Sequence, residues 1–391
     1  MSLGVKDGCM QDPVIVDAVR TPFGDREGEF RDTHPQDLAA APLPALRERN
    51  GFEAEAVEDV VYGCVTPIDE QGLNIARLAP MVAGWGDVVP GVQLNRMCGS
   101  GQQAVNFAAT TVEAGEHDLL IAGGTEHMTR VPIGSDGDGV TETYFEHFPE
   151  LTTQGEGAER IAEENGFSRT ELDEIAIDSQ RRWGEAWEAG YYDDQVVPVE
   201  TTLDGEEITV RTDGHPRPET DLETLSELPL SFRDADSGVL HAGNSSGIVD
   251  GSSALLVASE DEATERGWEP MARIVATEVV GVDPLTMLKG PVPATEGVLE
   301  KAGMDVGDID VFEVNEAFAS VVAYWLQELG VSWEIVNPLG GAIAHGHPLG
   351  ATGAALLTKL AHELERTGGD YGLSAMCIGF GQGIATIVER V

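Results

Sequence analysis

Lysine is the scarcest charged residue in this chain, with only Lys6, Lys289, Lys301 and Lys359 among 391 residues. Lysine and arginine together number 23 against 69 acidic residues, which gives a net charge of −46. A surface this acidic repels phosphate backbones, so we expect no nucleic-acid partner. The acidic residues are spread through patterned segments rather than collected in one tail, so the charge does not indicate disorder.

The acid excess has two interpretations. The chain could be an ordinary acidic protein, or it could be adapted to molar salt, where the Debye length falls to about 3 Å and self-repulsion is screened. Because the acid excess occurs together with lysine scarcity, we favour adaptation to salt and a halophilic source. This interpretation predicts that structure or activity is lost at low salt.

Long apolar runs are also missing. No stretch approaches the roughly 20 consecutive apolar residues that a membrane-spanning helix needs. The first residues show no apolar stretch like that of a signal peptide. We therefore expect a cytoplasmic protein with no membrane partner, and the length favours two or three domains.

Cysteine is rare, with Cys9, Cys64, Cys98 and Cys377 in the whole chain. None belongs to a Cys-x-x-Cys pair, so we expect no zinc site, and a cytosolic setting disfavours disulfides. A few cysteines in a long intracellular chain usually fill the core. Any functional role therefore needs support from neighbouring residues.

The apolar pattern predicts strands that alternate with helices, which indicates an α/β fold with sheets covered on both faces. Strands are expected at 14–19, 59–65, 91–97, 118–122, 254–258, 308–314, 372–378 and 384–391. Helices are expected at 36–49, directly after Cys98, around 158–164 and 171–189, and at 316–329 and 352–365.

The two halves of the chain show the same order of predicted elements. A strand ends near Arg96, a glycine-bounded turn holds Cys98, and a helix follows. Later a strand ends near Asn337, a glycine-rich turn holds His345 and His347, and a helix follows. This echo favours two turns that face each other.

We predict an N-terminal domain of residues 1–125 and 239–268, an inserted loop domain of 126–238, and a C-terminal domain of 269–391.

Four residues are candidates for chemistry, and each has a plainer alternative. Cys98 precedes a predicted helix, whose N-terminal N–H groups favour a thiolate and can hold an oxyanion, but it could equally be an inert core residue. A loop histidine such as His347 could be an acid–base group or a surface residue. Asn315 could hold a water or cap a helix. Cys377 could exchange protons or fill the core.

Six segments in order along the chain resemble the thiolase family. They are 20–24 (RTPFG), 95–101 (NRMCGSG), 241–251 (HAGNSSGIVDG), 315–319 (NEAFA), 346–350 (GHPLG) and 377–379 (CIG). Any one of them is a weak signal, whereas the set is specific and runs over essentially the whole chain. The resemblance implies two duplicated halves, each with a mixed five-stranded sheet, in a five-layer αβαβα core with an inserted loop domain.

The resemblance also implies roles for these residues. Cys98 would attack an acyl group and hold it as a thioester, while His347 takes its proton and, with a water held by Asn315, polarises the thioester oxygen. Cys377 would handle the α-proton of the second substrate. The N–H groups of Cys98 and Gly379 would form a second oxyanion hole.

Coenzyme A thioesters are the implied substrates, with no permanent cofactor and no metal. Ser246 would contact the pantetheine arm and Arg217 the adenine. The family usually has glycine after the position of Gly379, whereas Phe380 follows here, and Gln154 stands where methionine is common. Phe380 and Gln154 are the candidates for setting the size of the acyl group, and Phe318 is a further candidate for contact with the substrate or coenzyme A.

The implied activity is reversible Claisen condensation of two acetyl-CoA molecules, or thiolysis of 3-ketoacyl-CoA as in fatty acid β-oxidation, by a homodimer or homotetramer. Two alternatives share the fold. One is a ketoacyl synthase, which the Asn315 motif and Cys377 disfavour. The other is a non-catalytic carrier or scaffold, which is disfavoured because all four catalytic positions are filled.

Overall fold

The computed structural model describes residues 11–137, 139–234 and 237–391, so the predicted core cysteine Cys9 lies outside the described residues. The strands are β1 Pro13–Arg20, β2 Gly24–Asp25, β3 Asp59–Gly63, β4 Val92–Leu94, β5 Leu119–His127, β6 Val199–Leu203, β7 Glu206–Val210, β8 Val249–Ser259, β9 Ala272–Gly281, β10 Val311–Val314, β11 Tyr371–Ile378 and β12 Gln382–Arg390.

Thirteen α-helices occur within the described residues. They are α1 Pro35–Ala40, α2 Leu43–Asn50, α3 Ile75–Val82, α4 Ser100–Glu113, α5 Glu142–His147, α6 Gln154–Asn165, α7 Arg169–Glu188, α8 Leu222–Ser226, α9 Glu260–Arg266, α10 Pro291–Ala302, α11 Ala319–Leu329, α12 Ala342–His345 and α13 Leu349–Thr367.

Ten of the described strands form one mixed sheet in the order β10-β11-β12-β9-β1-β8-β5-β3-β4, with β2 paired to β8. Strands β1 and β9 pair over only two positions, Val14 with Arg273 and Ile15 with Ala272. The sheet therefore consists of two halves joined at a narrow seam. The first half, from β4 to β1, has the five strands that the resemblance implies.

The second half has four strands, and a single bridge between Phe312 and Val336 stands in place of a fifth. The prediction of a strand before the turn that holds His345 and His347 is therefore wrong. Residues Trp333–Ile335 form a 3₁₀ turn, and Asn337 has a φ of 47°, in the left-handed region that ends an extended segment.

Three apolar clusters give the fold its five layers. One packs helices α1 to α3 on the outer face of the first half-sheet, and another packs α10 and α11 on the outer face of the second. Between the two half-sheets lie α4 and α13, whose apolar faces share one cluster with both. The α/β class and the layering are confirmed.

The two central helices approach each other through glycine. A methyl group added to Gly101 of α4 would lie 2.6 Å from the carbonyl oxygen of Gly350 in α13. Only glycine permits a contact this close. Because Cys98 and His347 directly precede these two helices, the contact brings the two turns face to face as the echo predicted.

Two local predictions were wrong. The single helix expected at 36–49 is two helices, because Pro42 cannot donate a backbone hydrogen bond and the chain breaks between α1 and α2. The helix expected from Glu316 begins at Ala319. Among the elements that the pattern did not predict are α3, β9, α10 and the β6–β7 hairpin.

Candidate active site

The turn that carries Cys98 is fixed by its own side chains. The Met97 N–H donates to Asn95 Oδ1 (2.8 Å), the Arg96 N–H donates to Ser100 Oγ (2.8 Å), and that hydroxyl donates to the Met97 carbonyl (2.6 Å). Met97 has a φ of 46°. These bonds hold a strained turn, and the thiol of Cys98 is buried where the chain enters α4.

Three donors converge on the Cys98 sulfur. Its own N–H and that of Gly379 lower its pKa, as does the amide of Gln154, whose Nε2 lies 4.0 Å from Sγ. Burial outweighs them, and with a smaller contribution from the Glu126 carboxylate it raises the pKa to about 11. The N–H groups at the helix N-terminus thus favour the thiolate, as expected, but in the free protein burial holds the pKa of the thiol above its usual range.

His347 lies opposite in a fixed tautomer. Its Nδ1 is 2.6 Å from the hydroxyl of Thr352, and that hydroxyl donates to the Pro348 carbonyl (2.9 Å). When the hydroxyl donates to that carbonyl it can only accept from His347, so Nδ1 carries the hydrogen and Nε2 keeps a lone pair, which suits the amide of Asn315 at 3.3 Å. Burial lowers the pKa of His347 to about 3, so the imidazole is a neutral acceptor. Thr352 was not predicted, although it lies five residues after His347.

Asn315 directly follows β10 and does not cap a helix. Its Nδ2 lies 3.3 Å from Nε2 of His347, while helix α11 starts only at Ala319. Its Oδ1 is buried without a protein partner among the described residues, so it is free to accept a hydrogen bond from a water or a substrate. The arrangement favours the water-holding alternative over the capping one.

Cys377 lies in β11, fully buried, and its neighbours in the apolar cluster include Phe318 and Ile343. Burial raises the pKa of its thiol, and a negative charge on Cys98 raises it further. The two sulfurs are therefore close enough to influence each other's ionisation. The strand ends directly before Gly379, whose N–H faces Cys98.

Two buried carboxylates that the pattern missed hold these parts together. Glu316 accepts from Ser179 Oγ (2.6 Å), Asn337 Nδ2 (2.8 Å) and the Ile343 N–H (3.1 Å), which ties the segment of Asn315 to the histidine loop. Burial raises its pKa. The signal available was a charged residue inside an otherwise apolar motif, because buried charges need partners.

Glu126, at the end of β5, joins the two halves of the site. It accepts from the N–H groups of Val65 (2.8 Å) and Thr66 (3.1 Å) in the first half and from that of Gly350 (2.9 Å) at the start of α13. Burial raises its pKa. The carboxylate thus fixes the start of α13, and with it His347, relative to the first half-sheet.

The other predicted contact residues are dispersed. Gln154 begins α6 beside Cys98, and Phe318 is buried against Phe232 with ring centroids 5.6 Å apart. Ser246 donates its N–H to the Ala317 carbonyl (3.0 Å), next to this ring. The guanidinium of Arg217 folds back on its own loop, bonding the carbonyls of residues 214–216 and approaching Asp25 (3.3 Å).

A cavity of about 360 Å³ opens beside Cys98. Phe380 lines it, with 47% of its surface exposed and a left-handed φ of 61°. The rest of its described wall is mostly apolar side chains and glycines. Within the described ranges no group of three or more His, Cys, Asp or Glu side chains could hold a metal ion, and no helix is long and apolar enough to cross a membrane.

Two family models match nearly the whole chain. The thiolase N-terminal domain matches residues 13–261, and the thiolase C-terminal domain matches residues 268–390. The 3-oxoadipyl-CoA/3-oxo-5,6-dehydrosuberyl-CoA thiolase of Escherichia coli K12 is 44% identical over 98% of this chain and 100% of its own. A steroid 3-ketoacyl-CoA thiolase of Mycobacterium tuberculosis is 42% identical over 99% of this chain and 96% of its own.

Solved structures agree with these matches. The crystal structure of an acetyl-CoA acetyltransferase from Bacillus anthracis superimposes with a TM-score of 0.91 at 36% identity, covering 98% of this chain and 100% of its own. The crystal structure of human mitochondrial 3-ketoacyl-CoA thiolase superimposes with a TM-score of 0.88 at 36% identity, covering 97% of this chain and 99% of its own.

Proposed function

The chain belongs to the thiolase family and catalyses reversible Claisen condensation or thiolysis of coenzyme A thioesters, and we propose that it does so through an acyl thioester on Cys98. The observation that best supports this proposal is that the N–H groups of Cys98 and Gly379 converge on the Cys98 sulfur. The same donors suit an oxyanion that develops next to that sulfur. The reaction needs no permanently bound cofactor.

His347 accepts the proton of the nucleophile. In the free site a thiolate–imidazolium pair is strongly unfavourable, because burial holds the thiol pKa near 11 and the imidazole pKa near 3. Proton transfer to Nε2 therefore accompanies formation of the bond between sulfur and the acyl carbon. The proton then goes to the sulfur of the departing coenzyme A, which leaves as a thiol. Asn315 holds the imidazole and a water beside the reacting carbonyl.

Cys377 removes the α-proton of the second substrate. Two adjacent thiols do not both ionise, because each negative charge raises the pKa of the other. Acylation leaves Cys98 without an ionisable proton, so Cys377 can be the one thiolate of the pair once it has released its own proton to solvent. That thiolate then takes the α-proton. The carbanion attacks the acyl carbon on Cys98, and the sulfur released takes back the proton that Cys377 holds.

Replacing Cys98 tests this assignment. We expect Cys98→Ser to lose more than about 10³-fold in kcat for acetoacetyl-CoA thiolysis and to form no stable acyl-enzyme by intact-mass spectrometry. Cys377→Ala should still acquire an acetyl group from acetyl-CoA but should not condense it. Acetylation of the Cys98→Ser protein at another cysteine, with activity retained, would contradict the assignment. Failure of the wild-type protein to turn over any 3-oxoacyl-CoA would favour a carrier or scaffold instead.

A homo-oligomer, dimeric or tetrameric, is part of the proposal. Strand β4 lies at the sheet edge with Val92 half exposed. Leu73 is 87% exposed, and the next residue, Asn74, donates its side-chain amide to the Gly91 carbonyl beside β4 (2.8 Å). An unpaired edge next to apolar side chains suits a symmetric contact with a second copy. Light scattering should give two or four times the chain mass, and Val92→Asp should shift it towards the monomer, with Glu206→Gln on the β6–β7 hairpin as control. A monomeric wild-type protein would contradict this part.

Adaptation to high salt also remains a proposal, as do the three-domain division and a cytoplasmic location. The thiols of Cys98 and Cys377 must stay reduced to act, which suits a reducing compartment.

The proposed adaptation to salt can be tested by circular dichroism. Dilution from molar to 50 mM NaCl should cause loss of the folded signal, because the net charge of −46 is then poorly screened. Full stability at 50 mM NaCl would contradict the proposal.

A further inference from the structure

The cavity beside Cys98 is larger than an acetyl group requires. Its wall includes Ile133, Val140, Leu151 and Phe380, and three of these side chains stay substantially exposed: Ile133, Leu151 and Phe380. Large apolar side chains that remain exposed around one cavity gain free energy when a hydrocarbon covers them. The occupant with direct access is the chain of an acyl group attached to Cys98, which lines the same cavity.

The charge on the described wall of this cavity is negative. Among the described residues that line the cavity, Asp136 is the one charged side chain. Its carboxylate also contributes to the raised pKa of buried Cys64 nearby. The sequence from residue 131 to residue 153 contains no lysine or arginine. A negative group at the far end of an acyl chain would therefore meet a carboxylate and no cation.

The two arginines that flank this part of the site are already engaged. Arg96 donates to Gln382 Oε1 (3.0 Å), and Arg130 forms a two-bond ion pair with Glu70, with Nε 2.6 Å from Oε2. Neither guanidinium is among the groups that line the cavity. A dicarboxylic acyl group, like that in the name of the Escherichia coli relative, would find no counter-ion here.

We propose that this cavity selects 3-oxoacyl-CoA substrates whose acyl chain is longer than acetoacetyl and ends in an uncharged group, and that Asp136 excludes chains that end in a carboxylate. The proposal rests on the proposed thiolase function and specifies its substrate class. Apolar walls supply the attraction for methylene groups, and the carboxylate of Asp136 supplies the discrimination against anionic chain ends.

The test uses two substrates of equal length. 3-Oxohexanoyl-CoA and 3-oxoadipyl-CoA both carry six-carbon acyl chains and differ in a terminal methyl or carboxylate group. We expect wild-type kcat/KM for thiolysis to favour 3-oxohexanoyl-CoA by about tenfold at low salt, because the carboxylate of Asp136 repels a second carboxylate and the apolar wall gains nothing from an anionic chain end. It should also exceed the value for acetoacetyl-CoA by about three- to fourfold for each methylene that the cavity buries.

Variants of Asp136 separate its charge from the shape of the cavity. Asp136→Asn should reduce the preference several-fold, and Asp136→Lys should abolish or reverse it, where the preference is the ratio of kcat/KM for the two substrates in the same variant. Glu142→Gln removes an exposed charge from the same segment but not from the cavity wall, and it should leave the preference unchanged. Each ratio is measured at several salt concentrations, since screening weakens the charge effect.

The outcomes distinguish the two levels of the proposal. Equal turnover of both six-carbon substrates by the wild type, or a preference that Asp136→Lys leaves unchanged, overturns the inference and leaves the thiolase function intact. A maximum at acetoacetyl-CoA overturns the assignment of the cavity to a longer chain. A folded protein that cleaves none of the three substrates overturns the proposed function and the inference together.

Discussion

The turns before α4 and α13 place their reactive groups in the same way but are held by different means. The first turn is fixed locally, by Asn95 and Ser100 within a few residues of Cys98. The second is fixed mainly from a distance, by Glu316 and Glu126, with Thr352 as a local anchor of His347. Burial nevertheless leaves both reactive groups neutral in the free protein, raising the pKa of the thiol and lowering that of the imidazole.

The difference indicates a division of roles between the halves. The local turn sets the backbone strain at the nucleophile and supplies one of its three donors, the Cys98 N–H. The remote carboxylates set where the base stands relative to it. A change in the first turn should therefore affect Cys98 alone, whereas a change in the second should affect His347 and the stability of the protein together.

The largest effect is expected at Thr352. Thr352→Val keeps the shape but removes the acceptor for Nδ1, so His347 can adopt the other tautomer and lose its lone pair at Nε2. We expect kcat to fall about 10²-fold or more with KM nearly unchanged. Thr352→Ser restores the hydroxyl and should restore kcat and the pH profile. Equal loss in both variants would indicate a packing role instead.

Glu316 comes next. Glu316→Gln retains the size of the side chain but places an NH₂ group against one of its donors, so a buried hydrogen bond is lost. We expect the free energy of unfolding to fall by about 2–3 kcal/mol in chemical denaturation. Glu334→Gln, on the exposed 3₁₀ turn before the same loop, is the matched control and should change it by less than about 0.5 kcal/mol. Similar values for the two variants would argue against remote fixation.

A smaller effect is expected on the pKa of Cys98. The thiolate is the reactive form, so alkylation of Cys98 by iodoacetamide should rise about tenfold per pH unit between pH 8 and pH 10 in the free enzyme. Glu126→Gln removes a negative charge that raises this pKa and should shift the curve to lower pH. Peptide mass spectrometry reads Cys98 separately from the other thiols. A plateau below pH 9 in the wild type would contradict the burial argument.

The smallest effect concerns Phe380. Its left-handed backbone is costly for a residue with a side chain, so Phe380→Gly should exceed Phe380→Ala in free energy of unfolding by about 1 kcal/mol. Both variants lose the ring, so the difference isolates the backbone. A more stable alanine variant would mean that the surrounding turn does not enforce this conformation.

Local pattern predicted most of the helices and strands because periodicity is a property of short segments. It placed the helix at 158–164 inside α6 and the strand at 14–19 inside β1, and the helix at 171–189 passes the end of α7 by one residue. It failed where a local breaker acts, as at Pro42, and where a strand depends on partners, as at Val336. The site residues remain predictions, and the fold brings Cys98 near Gly379 and Cys377, and His347 next to Asn315.

Residue types and their order were enough to identify the family, the reaction and the acidic composition, and to predict which residues react. Only the tertiary structure decided the protonation states of Cys98 and His347, since burial is a property of the packed chain. It also decided the tautomer that Thr352 imposes. Finally, it placed Asp136 on the wall beside Cys98, because that cavity is built from segments far apart in the chain.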